Sequence, residues 1–331
     1  MKKIFIVAEI GVNHNGEIEL GKRLIDAALK AGADAVKTQL FVAESMTSAR
    51  ARKANYQRKT TDRTESQLDM LKKLELSAEQ YCILNDYAIS AGIILFAAPF
   101  DIKSVNELRK LGSPIIKIPS GEITNLPYLQ EIAGAGGKVF MSTGMSDMDE
   151  IRSAIDVFKD SRAELTLLHC HTQYPTEYAD ANLMAMISMR RETGLPVGYS
   201  DHTPGIETAI AAAALGAVVI EKHLTLDRTL PGPDHQASLE PEEFARMTHA
   251  IRNIEKALGS GEKKASRAEQ ENIAIARKSI VAARAIRQGE ILGADMLTTK
   301  RPGDGISPMR WYDIIGATAI RDFAADEQIE L

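Results

Sequence analysis

One repeated pattern constrains this chain more than anything else in it. A short apolar run is followed by a stretch with helical hydrophobic spacing, and the pair recurs eight times before residue 260. The runs lie at 4–11, 33–39, 93–98, 115–118, 138–142, 164–170, 196–199 and 218–224, and a closing helix is predicted over 241–258. Eight strand-then-helix units in order predict an α/β fold of the (β/α)8 barrel type, whose active sites lie at the C-terminal ends of the strands. A doubly wound open sheet is the remaining option. No Gly-x-Gly-x-x-Gly follows the first run to support a dinucleotide site there.

Chemically capable side chains gather at that one edge. Glu9, Lys37, Gln39, Lys117, Ser120, Glu122, Ser142, Thr172, Tyr174, Ser200, His202, Glu221 and His223 all sit at or just past predicted strand ends. Any single Ser or Thr in such a place is an ordinary turn or cap residue. Lys37 and Lys117 are different, because each stands in an otherwise apolar strand where an unpaired ammonium is costly. Either they pair with a neighbouring carboxylate such as Glu9 or Glu122, or they face an anionic ligand, with Ser120, Ser142 and turn amides as further donors.

The last two runs end in Ser200-Asp201-His202 and Glu221-Lys222-His223. If they form neighbouring parallel strands, both imidazoles emerge together, close enough to share a divalent metal, and Asp234 in the following tight turn could reach the same place. The alternative is two hydrogen-bonded structural histidines. Between residues 41 and 67 lies a long polar stretch containing Ala54-Asn55-Tyr56-Gln57 and Lys59-Thr60-Thr61. A connection of that length is either a solvated loop or a functional lid.

Charge and cysteine content narrow the partners. A net charge of −5 over 331 residues argues against a general nucleic-acid or membrane surface, so an anionic ligand needs a few locally placed cations. Cys82 and Cys170 form no CxxC and no disulfide framework, which suits the cytoplasm. Met1-Lys2-Lys3 and the apolar run after it faintly suggest a signal peptide, but Glu9 interrupts that run and no small-residue cleavage site follows. No apolar run approaches the length of a transmembrane helix.

Three segments are expected: a barrel domain over 1–260, a polar, partly helical linker over 261–278, and a small β-rich domain over 279–331 punctuated by Gly and Pro. Lys300-Arg301-Pro302-Gly303 puts two cations on a loop of that last segment. By default the loop is simply solvated. A functional role requires the small domain to reach a barrel mouth, most simply that of a partner subunit.

From Ile6 to the C-terminus the chain resembles the sialic acid synthases, which condense phosphoenolpyruvate with an N-acylated hexosamine. The motifs are Ala8-Glu9-Ile10-Gly11 with Asn13-His14-Asn15-Gly16, Val36-Lys37-Thr38-Gln39, Lys117-Ile118-Pro119-Ser120-Gly121-Glu122, Ser142-Thr143-Gly144-Met145, Tyr174-Pro175-Thr176, Ser200-Asp201-His202, Glu221-Lys222-His223, Gly232-Pro233-Asp234-His235 and Lys300-Arg301-Pro302-Gly303. The C-terminal segment is similar to the antifreeze-like (SAF) domain of that family. The resemblance implies that His202 and His223 ligate a divalent metal, Mn²⁺ or Mg²⁺. It implies that Lys37, Lys117, Ser120, Ser142, Thr172 and Ser200 bind phosphoenolpyruvate, and that Glu9, Gln39, Tyr174 and Asp234 hold the sugar. It further implies that Glu9, Glu122, Glu221 and Asp234 supply the acid, base or supporting carboxylates. Arg301 would reach the N-acyl group from the other subunit of a domain-swapped homodimer. One departure stands out: the family usually has Ser-Thr-Pro-Phe after the third strand, and this chain has Ala97-Ala98-Pro99-Phe100, so a hydroxyl that would contact the phosphate is missing.

The expected activity is therefore N-acetylneuraminate synthase-type condensation of phosphoenolpyruvate with N-acetylmannosamine or a related N-acylated hexose. N,N'-diacetyllegionaminate synthesis from 2,4-diacetamido-2,4,6-trideoxymannose is the near alternative. Thr60-Thr61, Glu65-Ser66-Gln67-Leu68 and the run Gly232 to Ser238 look like those two branches rather than the pseudaminate one. Two other classes compete: a Schiff-base aldolase using Lys117 or Lys37, and a non-catalytic sugar-binding protein relying on its C-terminal domain.

Overall fold

Period-two alternation inside eight short strands builds the architecture. A computed structural model describes residues 3–48, 50–54, 57–58, 61–62 and 64–331. Of the residues singled out above, Met1, Lys2, Asn55, Tyr56, Lys59 and Thr60 lie outside that description. The strands are β1 (Phe5–Gly11), β2 (Ala35–Leu40), β3 (Ile94–Pro99), β4 (Ile115–Ile118), β5 (Gly137–Ser142), β6 (Ala163–Cys170), β7 (Val197–Asp201) and β8 (Val219–His223). All neighbours are parallel, and β8 pairs with β1, so the sheet closes on itself.

Each strand sends alternate residues inward and outward. Outward residues such as Ile6, Ala8, Ile10, Val36 and Ile118 pack against α1 (Ile18–Lys30) and the helices that follow the other strands. Inward residues fill the lower barrel with Val7, Ala35, Phe96, Ile115, Phe140, Leu168 and Val219. Phe140 meets Phe5 and Phe96 edge to face at centroid distances of 6.1 and 5.9 Å. Two residues further along the same strands, the inward positions are Glu9, Lys37, Lys117, Ser142, Cys170 and Glu221. The barrel is thus apolar below and ionic at its C-terminal mouth.

The long connection after β2 is structured over its described part. It contains α2 (Ala43–Met46) and α3 (Gln67–Leu74), whose apolar faces join Val12 and Phe41 in a satellite core. Buried Lys53 ties the segment together by donating to Thr61 Oγ1 at 3.0 Å, Asp62 O at 2.7 Å and Glu65 Oε1 at 2.8 Å. The chain divides by its internal contacts into Met1–Ser260 and Gly261–Leu331. The second unit has its own core, including Ile280, Ile286, Leu292, Ile314 and Phe323, around an antiparallel pair at Ser279–Ala282 and Leu297–Lys300. A helix over Arg267–Ala276 precedes that pair. Among the described residues no helix is long and apolar enough to cross a membrane.

Candidate active site

At the mouth of the barrel a cavity of about 240 Å³ is lined by Glu9, Lys37, Gln39, Lys117, Ser120, Ser142, Thr172, Tyr174, Ser200, His202, Glu221, His223 and Asp234. Strand alternation brings the first groups there, and the turns after β6 and β8 add Thr172, Tyr174 and Asp234. Glu122 lies elsewhere, in the turn after β4, where its carboxylate accepts from Asn125 Nδ2 at 2.6 Å. Arg301 belongs to the second unit, where its Nε donates to Ala276 O at 3.0 Å.

The ionic centre is Glu221. Its Oε1 accepts from Lys37 Nζ at 2.6 Å, Lys117 Nζ at 3.1 Å and Ser200 Oγ at 3.0 Å, although β2, β4 and β8 do not all adjoin one another. Lys37 also lies 3.1 Å from Glu9. Sequence spacing names Glu9 or Glu122 as the carboxylate partners. Lys37 does meet Glu9, but the partner common to both lysines is Glu221. The lysines therefore pair with carboxylates and face the cavity at once.

Burial and charge set the protonation states. Burial alone would raise the Glu221 carboxyl, but the Lys117 and Lys37 ammoniums outweigh it and hold it well below the usual carboxylate range. Burial lowers the Lys117 ammonium, with the Lys37 charge working in the same direction against Glu221. Lys37 is depressed by burial but raised by more through Glu221 and Glu9, so it stays charged. Glu9 is raised from 4.5 to about 7, chiefly by burial, with Lys37 opposing. Asp234 is raised from 3.8 to about 6 by burial, again against Lys37. Two lysines thus share one firmly ionised carboxylate, an arrangement that leaves donors for an anionic guest.

Next to this cluster the rings of His202 and His223 lie with centroids 5.4 Å apart. Tyr174 stacks over His202 at 4.1 Å and meets His223 edge-on at 5.6 Å. Burial pushes His202 down to about 4 and His223 well below its usual range, so both imidazoles are neutral at pH 7. His202 Nδ1 donates to His171 O at 2.5 Å, which leaves its Nε2 as the lone-pair nitrogen. Among the described residues His223 Nδ1, Glu221 Oε2 and both Glu9 carboxylate oxygens have no hydrogen-bond partner of good geometry.

Such orphaned buried acceptors beside two neutral imidazoles fit a divalent cation. Among the described residues no group of three or more His, Cys, Asp or Glu side chains forms a ready metal cage. The protein would therefore supply two nitrogens and leave the other positions to water and substrate oxygens.

Other wall residues are given no site role by sequence reasoning, although Gln57, Gln67 and Met145 fall in stretches it quotes. Met46, Gln57, Gln67, Met70, Leu71 and Leu74 reach the cavity from the connection after β2, and Met145 reaches it from the turn after β5. The sequence signal for the first six is the length of that connection, whose described part packs against the mouth rather than lying free in solvent. Gly144 is needed for close packing here: a Cβ would fall 2.7 Å from Thr172 Cγ2 and 2.8 Å from Ser120 Oγ. Gly11, at φ +38° beside the β1 bulge, likewise leaves room for Glu9, whose Oε1 would lie 2.5 Å from an added Cβ.

The family and relatives that this chain matches make it an enzyme of the phosphoenolpyruvate-dependent sugar-acid synthase class. Residues 24–263 match the NeuB family and residues 277–330 match the SAF domain. The chain belongs to the NeuB family, the family of the sialic acid synthases. It is 51% identical over 332 residues to the N,N'-diacetyllegionaminic acid synthase of Campylobacter jejuni, covering 99% of both chains. With the synthase of the same name from Legionella pneumophila it shares 45% identity, covering 97% of this chain and 92% of the other. The crystal structure of N-acetylneuraminic acid (sialic acid) synthetase from Leptospira borgpetersenii, in complex with citrate, matches with a TM-score of 0.72 at 36% identity. That match covers 82% of this chain and 90% of the other.

Proposed function

We propose that the protein condenses phosphoenolpyruvate with an N-acylated hexose and water, giving a nine-carbon 2-keto sugar acid and inorganic phosphate. The observation that carries this reading is the junction in one cavity of two lysines sharing Glu221 with two neutral imidazoles and orphaned carboxylate oxygens. Lys37 and Lys117, with the hydroxyls of Ser120, Ser142, Thr172 and Ser200, hold the phosphate and carboxylate of phosphoenolpyruvate. Gln39, Tyr174 and Asp234 hold the open-chain sugar.

His202 and His223 would hold the metal, Mn²⁺ or Mg²⁺, which when bound supplies Lewis-acid polarisation of the sugar aldehyde. Carbon 3 of phosphoenolpyruvate bonds to carbon 1 of the sugar, and the aldehyde oxygen takes a proton. Glu9 at about 7 and Asp234 at about 6 are the groups able to carry one at neutral pH. Water then adds at carbon 2 and gives up its proton, and cleavage of the C–O bond releases phosphate while the lysines keep the anion in place. Glu122, hydrogen-bonded to Asn125 in the turn after β4, supports that turn in this reading.

As to the sugar, identities of 51% and 45% with the two legionaminic acid synthases, against 36% with the sialic acid synthetase, favour the 2,4-diacetamido-2,4,6-trideoxy substrate over N-acetylmannosamine. Arg301 would contact the N-acyl group from the partner subunit of a domain-swapped homodimer. The two free cysteines support a cytoplasmic setting.

The test is phosphate release with phosphoenolpyruvate and each hexose in parallel, with and without Mn²⁺. Release should require both substrates and stop with a chelator. Borohydride trapping of a pyruvate adduct that ignores the chelator would replace this reading with the Schiff-base aldolase. Ligand binding by residues 259–331 alone, without turnover, would replace it with the sugar-binding protein.

A further inference from the structure

Directly behind the two imidazoles, on the helix-facing side of the barrel wall, lies a second ionic cluster that contacts none of the cavity. Asp201 and Lys222 are cross-strand neighbours on the last rung of the β7–β8 ladder. Asp201, the last residue of β7, precedes His202 by one residue, and Lys222 precedes His223, the last residue of β8. Asp201 and Lys222 are fully enclosed, at 1% and 0% exposure. Lys222 Nζ donates to Asp201 Oδ2 at 2.8 Å and to the backbone carbonyl of Thr203 at 2.5 Å. Asp201 Oδ1 accepts from the Thr203 backbone N–H at 2.9 Å and its hydroxyl at 2.8 Å, and Oδ2 also accepts from Thr208 Oγ1 at 2.9 Å.

Lys222, the residue before His223, therefore grips the residues on either side of His202. Replacing a buried ion pair by apolar groups of similar volume is often neutral or stabilising, so such a pair is weak evidence for a stability role. What it provides here is register. A slip of one residue between β7 and β8 would turn one imidazole out of the barrel, because side chains alternate along each strand. We infer that the Asp201–Lys222 pair is a positioning device that fixes the spacing and inward aim of His202 and His223. The inference rests on the functional reading above only for what the two imidazoles hold.

The experiment uses the full chain carrying Asp201→Asn with Lys222→Met, a neutral pair of nearly the original shape. Three quantities are read: Mn²⁺ affinity by calorimetry, the thermal midpoint in chelator, and the separation of the two imidazoles in a metal-free crystal. The thermal midpoint should stay close to that of the unaltered protein. Mn²⁺ affinity should fall by about 10-fold or more, the range found when groups supporting metal ligands are removed. The KM for phosphoenolpyruvate should hold while kcat drops, and the rings should leave their 5.4 Å spacing. Unchanged affinity and spacing would overturn the inference, whatever happens to the midpoint. Should the double variant not fold, Thr208→Val, which removes one support from Asp201 and keeps the ion pair, must weaken Mn²⁺ binding to a smaller degree or the inference fails. If the unaltered protein binds no Mn²⁺, the functional reading falls, and ring spacing in the crystals still decides the positioning role.

Discussion

Glu9 shows how a single buried group couples the site to solution conditions. In the unfolded chain its carboxyl releases a proton near 4.5, whereas burial in the folded mouth delays release to about 7. Between those values the folded state binds more protons than the unfolded one, so this group lowers stability as pH rises, and the loss is complete above about pH 7. Glu9→Gln should therefore raise the thermal midpoint of metal-free protein at about pH 8 and leave it nearly unchanged at about pH 4. Equal shifts at both pH values would contradict the burial argument. The same residue marks what is legible at this scale. A lone carboxylate or ammonium in an apolar run stands out by cost alone, which singles out Glu9, Lys37 and Lys117. That Lys117 reaches Glu221 rather than Glu122 is not legible, because the partner is chosen across the barrel bore by strands distant in sequence.

Among the elements, the connection after β2 carries the next prediction. Lys53 is its central tie, and Glu65 also binds Lys73 at 2.5 Å, so the described parts of the segment converge on two side chains. Lys53→Met removes the three hydrogen bonds donated by that ammonium but leaves Glu65 its pair with Lys73, at a cost of about 1.5 kcal/mol. Lys53→Met should concentrate that cost in the segment: faster proteolytic cutting between residues 43 and 67, a KM for the sugar raised about 10-fold, the change that about 1.4 kcal/mol produces, and a barrel midpoint within a few degrees of the original. A fall in the global midpoint without change in KM would show that the segment acts as a structural strap and takes no part in sugar binding. The eight strands themselves are readable from short apolar runs that alternate with helical spacing, and their ends agree with the structure to within a few residues. α3 is less readable, because Gln67–Leu74 follows a polar stretch and its apolar face packs on Val12 and Phe41 from elsewhere in the chain.

On the scale of the whole molecule, two cores in one chain raise the question of what the second unit contributes. Its fold gives Arg301 Nε a backbone carbonyl within its own unit, so the guanidinium's other donors are available for a guest. The Lys300-Arg301-Pro302-Gly303 pattern is visible in the sequence, but its destination is not, because spacing along a chain carries no information about which subunit's barrel receives a loop. Complementation decides it. Protein with Arg301→Ala has an intact barrel mouth, and protein with His223→Ala has an intact Arg301; each alone should lose most turnover. If Arg301 acts in trans, random reassociation makes half the dimers mixed and gives each mixed dimer one complete site, restoring about a quarter of the original activity. If it acts within its own subunit, no mixed dimer holds a complete site and activity stays at the level of the parents. A monomer that retains full activity would remove the role assigned to Arg301 across a subunit boundary and leave only action within its own chain.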